Sequence, residues 1–149
     1  MNTSHTEAVS KIVQMHLDSS KIYQKVIHDA GVEDLSAFFS DFHKMHETFA
    51  KRLQEGSETE LLEDLVERAP LLKQEEELFA AADTDNEVKI YEICLSNERQ
   101  IMKCYEEALT VEEHPSKAFK KNLDTISTIV RRLERAKTVP SIKNILVDL

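Results

Sequence analysis

The residues of this chain best suited to chemistry are His16, His46 and Glu98, each standing where the helical pattern of its own segment calls for an apolar side chain. An inward-facing imidazole or carboxylate without a partner costs on the order of 1 to 3 kcal/mol, and a charged one more. Two arrangements satisfy such groups. They pair with one another or with water as a structural polar network that needs no cofactor, or they coordinate a cation. Two imidazoles and one carboxylate are a recognised ligand set for a single divalent metal such as iron or zinc. His43 widens that set, because His43-x-x-His46 puts two imidazoles one turn apart on adjoining faces and His43 to Glu47 has i, i+4 spacing. The candidate metal residues are therefore His16, His46 and Glu98, with His43 as an additional ligand.

The segments that must position these groups read as helices. Val9, Ile12, His16, Ser19, Tyr23, Val26 and Ala30 recur at steps of 3, 4, 3, 4, 3, 4, with Ser4-x-x-Glu7 as a capping box before them and Gly31 after them. This predicts a first helix over about residues 5 to 30. Leu35, Phe39, Phe42, His46, Phe49 and Leu53 predict a second over about 34 to 54, ended by Gly56. Val88, Tyr91, Leu95, Glu98, Met102, Tyr105 and Leu109, behind an Asp83-Thr84-Asp85 capping region, predict a third over about 86 to 110. Phe119, Leu123, Ile126, Val130 and Leu133 predict a fourth over about 116 to 137, stopped by Pro140. His16 and His46 each lie about 12 to 14 residues from the first inter-helix turn, so both stand roughly 18 to 21 Å above it. Glu98 falls near the middle of its helix, and the three can meet halfway up.

Between the second and third helices, residues of about 55–85 carry a short helix opened by Ser57-x-x-Glu60, an interruption at Pro70, and a second apolar set of Leu71, Leu72, Leu78 and Phe79. That stretch is too long for a hairpin loop and long enough to run the length of a bundle. The expected fold is all-α: one domain over residues 1–149, a four-helix bundle of two antiparallel hairpins joined by a long crossover, with a C-terminal tail over 138–149 whose Ile142, Ile145, Leu146 and Leu149 share a helical face. With two Gly and three Pro, the chain lacks the turn residues a β-rich fold consumes.

Net charge is −9, which argues against a nucleic-acid binder, since phosphate neutralisation by Lys and Arg drives such binding. The charge is uneven: nine acidic and two basic residues lie between Glu55 and Glu77, against eight basic and two acidic from Lys117 to Lys143. Opposed charge and the leftover apolar faces of crossover and tail lead us to expect a homodimer, with another protein partner as an alternative. No apolar run has the length of a membrane span, and the start MNTSHTEAVSK lacks a signal-peptide layout, so the expected location is the cytoplasm and no membrane partner is expected. Cys94 and Cys104 lie on one helix, about 15 Å apart at helical rise, and are expected to be free thiols in or near the core. His5, His28 and His114 lie near helix ends and are expected to be exposed, and Tyr23 and Tyr105 to be core aromatics with partnered hydroxyls. No phosphate-binding loop or nucleophile elbow occurs, and the sequence names no reaction.

The arrangement resembles the ferritin-like superfamily, whose di-iron members carry Glu on the first helix, Glu-x-x-His on the second, Glu on the third and Glu-x-x-His on the fourth. More narrowly, Asp18-x-x-x-x-Tyr23, the segment Phe39 to Leu53, and Glu98-x-x-x-x-x-x-Tyr105-x-x-x-Leu109 resemble a bacterial family of uncharacterised ferritin-like bundles, some associated with stress responses. The resemblance covers roughly residues 9 to 136. It implies a ferritin-like bundle, and the di-iron pattern carries over only at Glu98 and His46. His43 replaces the second-helix Glu, His16 or Ser19 stands in the place of the first-helix Glu, and the fourth helix has no Glu-x-x-His. The functional expectation is thus a non-enzymatic protein acting through protein–protein contacts, with a stress-related role implied by the resemblance. The alternative is a metal-binding protein with a reduced, mononuclear or vestigial site.

Overall fold

The computed structural model describes residues 3–29, 35–56, 61, 68–111, 114–136 and 145–146. Six helices account for nearly all of them: α1 Thr3–Asp29, α2 Ser36–Glu55, α3 Pro70–Lys73, α4 Glu75–Asp83, α5 Glu87–Ala108 and α6 Lys117–Ala136. The described residues include no strand. The expected Gly31, Pro140 and 57–60 signals, the side chain of Ser4 and all of the tail except Ile145 and Leu146 lie outside the described residues.

The four long helices close a ring in which α1 packs on α2 and α5, and α6 packs on the other side of both α2 and α5. The predicted apolar stripes of α1 and α2 are buried from Val9 to Val26 and from Leu35 to Leu53. α3 and α4 lie over the α1/α5 pair, away from the α2/α6 seam. This second cover changes α5. Its predicted stripe is exposed at both ends, at Val88 and Leu109, while Ile90, Ile93, Cys94, Ile101 and Cys104, outside that stripe, are buried. A helix covered on two sides is apolar over more than one stripe, so a single 3–4 periodicity undercounts its core.

Two further expectations are corrected. Asn86, not the Asp83–Asp85 stretch, caps α5: Asp85 adopts φ 52°, which turns the chain, and the Asn86 side chain then accepts from Lys89 N–H at 3.2 Å. His5 is buried while His28 and His114 are exposed, because α1 begins at Thr3 and His5 continues the 9, 12, 16 stripe one step earlier. Both cysteines are free and buried, as their helical placement predicts.

The crossover is held by two buried acceptors. Pro70 occupies the first turn of α3, where its missing N–H costs nothing, and the amides on either side of it are both taken. Ala69 N–H donates to Asp18 Oδ2 at 3.1 Å and Leu71 N–H to Asn97 Oδ1 at 3.0 Å. Asp18 also receives Arg68 through two nitrogens and Gln14 Nε2. Burial alone would push its carboxyl up, but these donors outweigh burial and hold it below the usual carboxylate range. Among the described residues no helix is long and apolar enough to cross a membrane.

Candidate functional site

His16, His46 and Glu98 are brought together. Each is fully buried, and they form a row with His46 in the middle. His16 Nδ1 lies 2.8 Å from His46 Nδ1, and His46 Nε2 lies 2.6 Å from Glu98 Oε1. The row extends further than the sequence indicated: His16 Nε2 meets the Tyr105 hydroxyl at 2.7 Å, and Asn122 Nδ2 reaches both that hydroxyl, at 3.1 Å, and the Phe49 carbonyl, at 3.2 Å. Every long helix contributes, with His16 from α1, His46 and the Phe49 carbonyl from α2, Glu98 and Tyr105 from α5, and Asn122 from α6.

Donor counting gives the row a direction. The Phe49 carbonyl only accepts, so Asn122 turns its amide nitrogen toward it and offers its second N–H to the Tyr105 oxygen. Tyr105 then donates to His16 Nε2. A neutral His16 therefore carries its proton on Nδ1 and donates to His46 Nδ1, which leaves the His46 proton on Nε2, aimed at Glu98. The opposite direction would leave the Tyr105 proton without an acceptor. Neutral His16 agrees with its surroundings, since burial first and the neighbouring His46 second push its pKa well below the ordinary histidine value. Burial likewise pushes the Tyr105 phenol up, with the Glu98 charge adding to it.

The chain of donors ends on a carboxylate with one oxygen unspent. Glu98 Oε2 is buried and has no hydrogen-bond partner. Beside it lie Tyr23 and Cys94: burial pushes the Tyr23 phenol up, with Cys94 and then Glu98 adding to it, and burial with the Glu98 charge pushes the Cys94 thiol up to about 12. The Tyr23 hydroxyl faces the Cys94 thiol without a well-formed hydrogen bond, so the expectation of a partnered hydroxyl holds for Tyr105 and not for Tyr23.

A metal at this place would need its donors to converge. His46 instead spends one ring nitrogen on each neighbour, so the two imidazoles and the carboxylate lie in line. Among the described residues no three His, Cys, Asp or Glu side chains are grouped to hold a metal ion. The unspent Glu98 oxygen is the one feature that suits a cation.

His43 stands apart from the row. Its Nδ1 lies 2.9 Å from the Ser20 carbonyl and 2.8 Å from the Ser20 hydroxyl, and its Nε2 lies 3.7 Å from Glu47. The order Ser, His, carboxylate is that of a nucleophilic triad, but a nitrogen that donates to a carbonyl cannot take a proton from the adjacent hydroxyl. Ser19 is also turned elsewhere: its hydroxyl donates to the Met15 carbonyl and accepts from Asn97, tying α1 to α5.

Asn97, Asn122 and Tyr105 are the participants that sequence reasoning missed or placed in a lesser role. The signal for the asparagines was slight: each is a lone amide beside an apolar stripe. No protein family, characterised protein or solved structure matches the chain.

Proposed function

We propose that the chain is a non-enzymatic, ferritin-like four-helix bundle that acts through protein–protein contacts, with a homodimer as its simplest assembly. The ring of long helices, and the placement of α3 and α4 over one side of it, support two hairpins joined by a crossover. The observation that carries the non-enzymatic reading is the closure of the polar row. His16, His46 and Glu98 have no exposed surface, and both imidazoles spend both nitrogens within the protein. A group that neither reaches solvent nor has a free nitrogen serves no external substrate as acid or base. Light scattering at high micromolar concentration and low salt tests the assembly: a dimer mass is expected, and a monomer mass removes the homodimer. The stress-related role, which rests on the resemblance, predicts that the protein becomes more abundant in stressed cells.

The unspent oxygen of Glu98 favours one further reading, a reduced site for a single divalent metal such as iron or zinc at His16, His46 and Glu98. Elemental analysis of protein purified without chelator or affinity metal separates the two. The first reading predicts no stoichiometric metal. Stoichiometric iron, zinc or manganese that disappears in His46→Ala establishes the second.

A further inference from the structure

The α2/α6 seam lies on the side of the ring away from α3 and α4, and it holds a groove of about 470 Å³. Its apolar lining is Met45, Phe49 and Leu146, and its cations are Lys44, Arg52 and Lys121. Asp41 is the one acid among the lining residues. Lys25, Arg68, Lys89 and Arg99, by contrast, are paired with Glu75, Asp18, Glu77 and Glu134. The three groove cations make no ion pair or hydrogen bond through their side chains with any described residue. Three unneutralised cations around an apolar strip are complementary to a surface with the reverse pattern.

We propose that this groove is the docking site for an amphipathic helix of an acidic partner protein, with its apolar stripe on the half-buried Met45 and Leu146 and its carboxylates on Lys44, Arg52 and Lys121. The proposal rests on the reading of this protein as one that acts through its surface. Asp41 to Arg52 spans about 16 Å of α2, the length of three turns of a helix laid alongside. The volume takes inserted side chains while the helix itself rides on the rim. A second copy fits the groove poorly. The described acidic part of the crossover lies over α1 and α5, on the opposite side of the ring, where Glu75 and Glu77 are already paired. Joining opposite faces of identical subunits is heterologous and gives open chains rather than a closed two-fold dimer.

The test is fluorescence anisotropy with a labelled synthetic helix carrying Leu on one face and Glu along its flanks. A scrambled peptide of equal composition and a version with Lys in place of Glu serve as controls. Saturable binding of the Glu peptide is expected, weakening about tenfold or more between about 50 and 300 mM salt. The double variant Lys44→Glu/Lys121→Glu should lose at least about tenfold for the Glu peptide and gain affinity for the Lys peptide, a reversal that misfolding cannot produce. Equal binding of the scrambled peptide, no binding of the Glu peptide, or indifference to the double variant overturns the proposal. So does dodecanoate binding at the groove in place of the helix, which assigns it to a small amphiphile. A lower mass of the double variant in light scattering also overturns it, by assigning the groove to a second copy. A wild-type protein that dimerises and ignores the peptide refutes the groove while leaving the surface-acting reading in place.

Discussion

Replacing His46 alone by Leu should be one of the costliest single changes in the core, and replacing the whole row should cost little. His46→Leu strips Glu98 of its one partner, leaving both carboxylate oxygens unpaired at zero exposure, and strips the His16 Nδ1–H of its acceptor. Leu has nearly the volume of His, so no cavity contributes. The cost is electrostatic: a buried carboxylate left without a donor costs about 3 kcal/mol or more. Adding His16→Leu and Glu98→Leu removes both stranded groups but orphans the Tyr105 hydroxyl, which still costs about 1 to 3 kcal/mol. Tyr105→Phe then removes that as well, and Asn122 keeps the Phe49 carbonyl. The quadruple variant should lie within about 1 kcal/mol of the parent or above it, as buried polar clusters exchanged for packed apolar residues often do. The chain has no Trp, so urea unfolding is followed by far-UV circular dichroism. A His46→Leu loss below about 1 kcal/mol, or effects that add across the series to within about 0.5 kcal/mol, would refute the linked row.

Other consequences are open to direct measurement. Because the folded-state pKa of His16 is depressed, the unfolded chain binds its proton first, so this contribution is fully present above about pH 6.5 and is lost as pH falls toward the lowered folded value, at up to about 1.4 kcal/mol per unit. A stability profile of His16→Leu that keeps the parent's slope between about pH 6.5 and 5 contradicts this. Asp18 has a lowered folded pKa too, so its support of the crossover is present above about pH 3.9 and lost below it. Asp18→Asn at neutral pH should destabilise by about 1 to 3 kcal/mol and speed amide exchange at Ala69 and Leu71, and unchanged exchange there dismisses the clamp. Cys94 and Cys104 should resist a thiol reagent until the protein unfolds, since both are buried and burial lifts the Cys94 thiol to about 12; rapid labelling of native protein disproves that.

The elements were legible because the predicted stripes of α1 and α2 are buried along their length and leave a 3–4 rhythm in the sequence, although α1, which also lies under α3 and α4, buries Val13, Met15 and Ile22 besides. α5 obeys that rhythm only from Tyr91 to Tyr105, because its other side is covered by α3 and α4, and nothing local in Val88 or Leu109 tells that they fall beyond the cover. The meeting of His16, His46 and Glu98 followed from equal heights on neighbouring helices, since helical rise is fixed. Their order in a row did not. It depends on ring rotation, and its direction on Asn122 and the Phe49 carbonyl acting through Tyr105, one a lone amide and the other a backbone atom with no sequence identity.

That dependence gives the polar row a use that packed apolar residues would not supply. Apolar stripes attract helices without fixing their axial positions, because sliding by one turn replaces one contact of Leu or Ile with another. A row with one donor and one acceptor per joint has no such tolerance. Moving α2 by one turn, about 5.4 Å, past α1 breaks the His16–His46 joint and strands the Glu98 carboxylate. The same displacement carries Lys44, Met45 and Arg52 past Lys121, which separates the groove's cations from one another. The buried row and the groove share Phe49, a buried residue at the groove's floor whose carbonyl anchors Asn122 and whose ring packs edge-on against His16 and His46. The row therefore holds the two walls of the groove in register, which ties the interior's polar chemistry to the surface proposed to meet a partner.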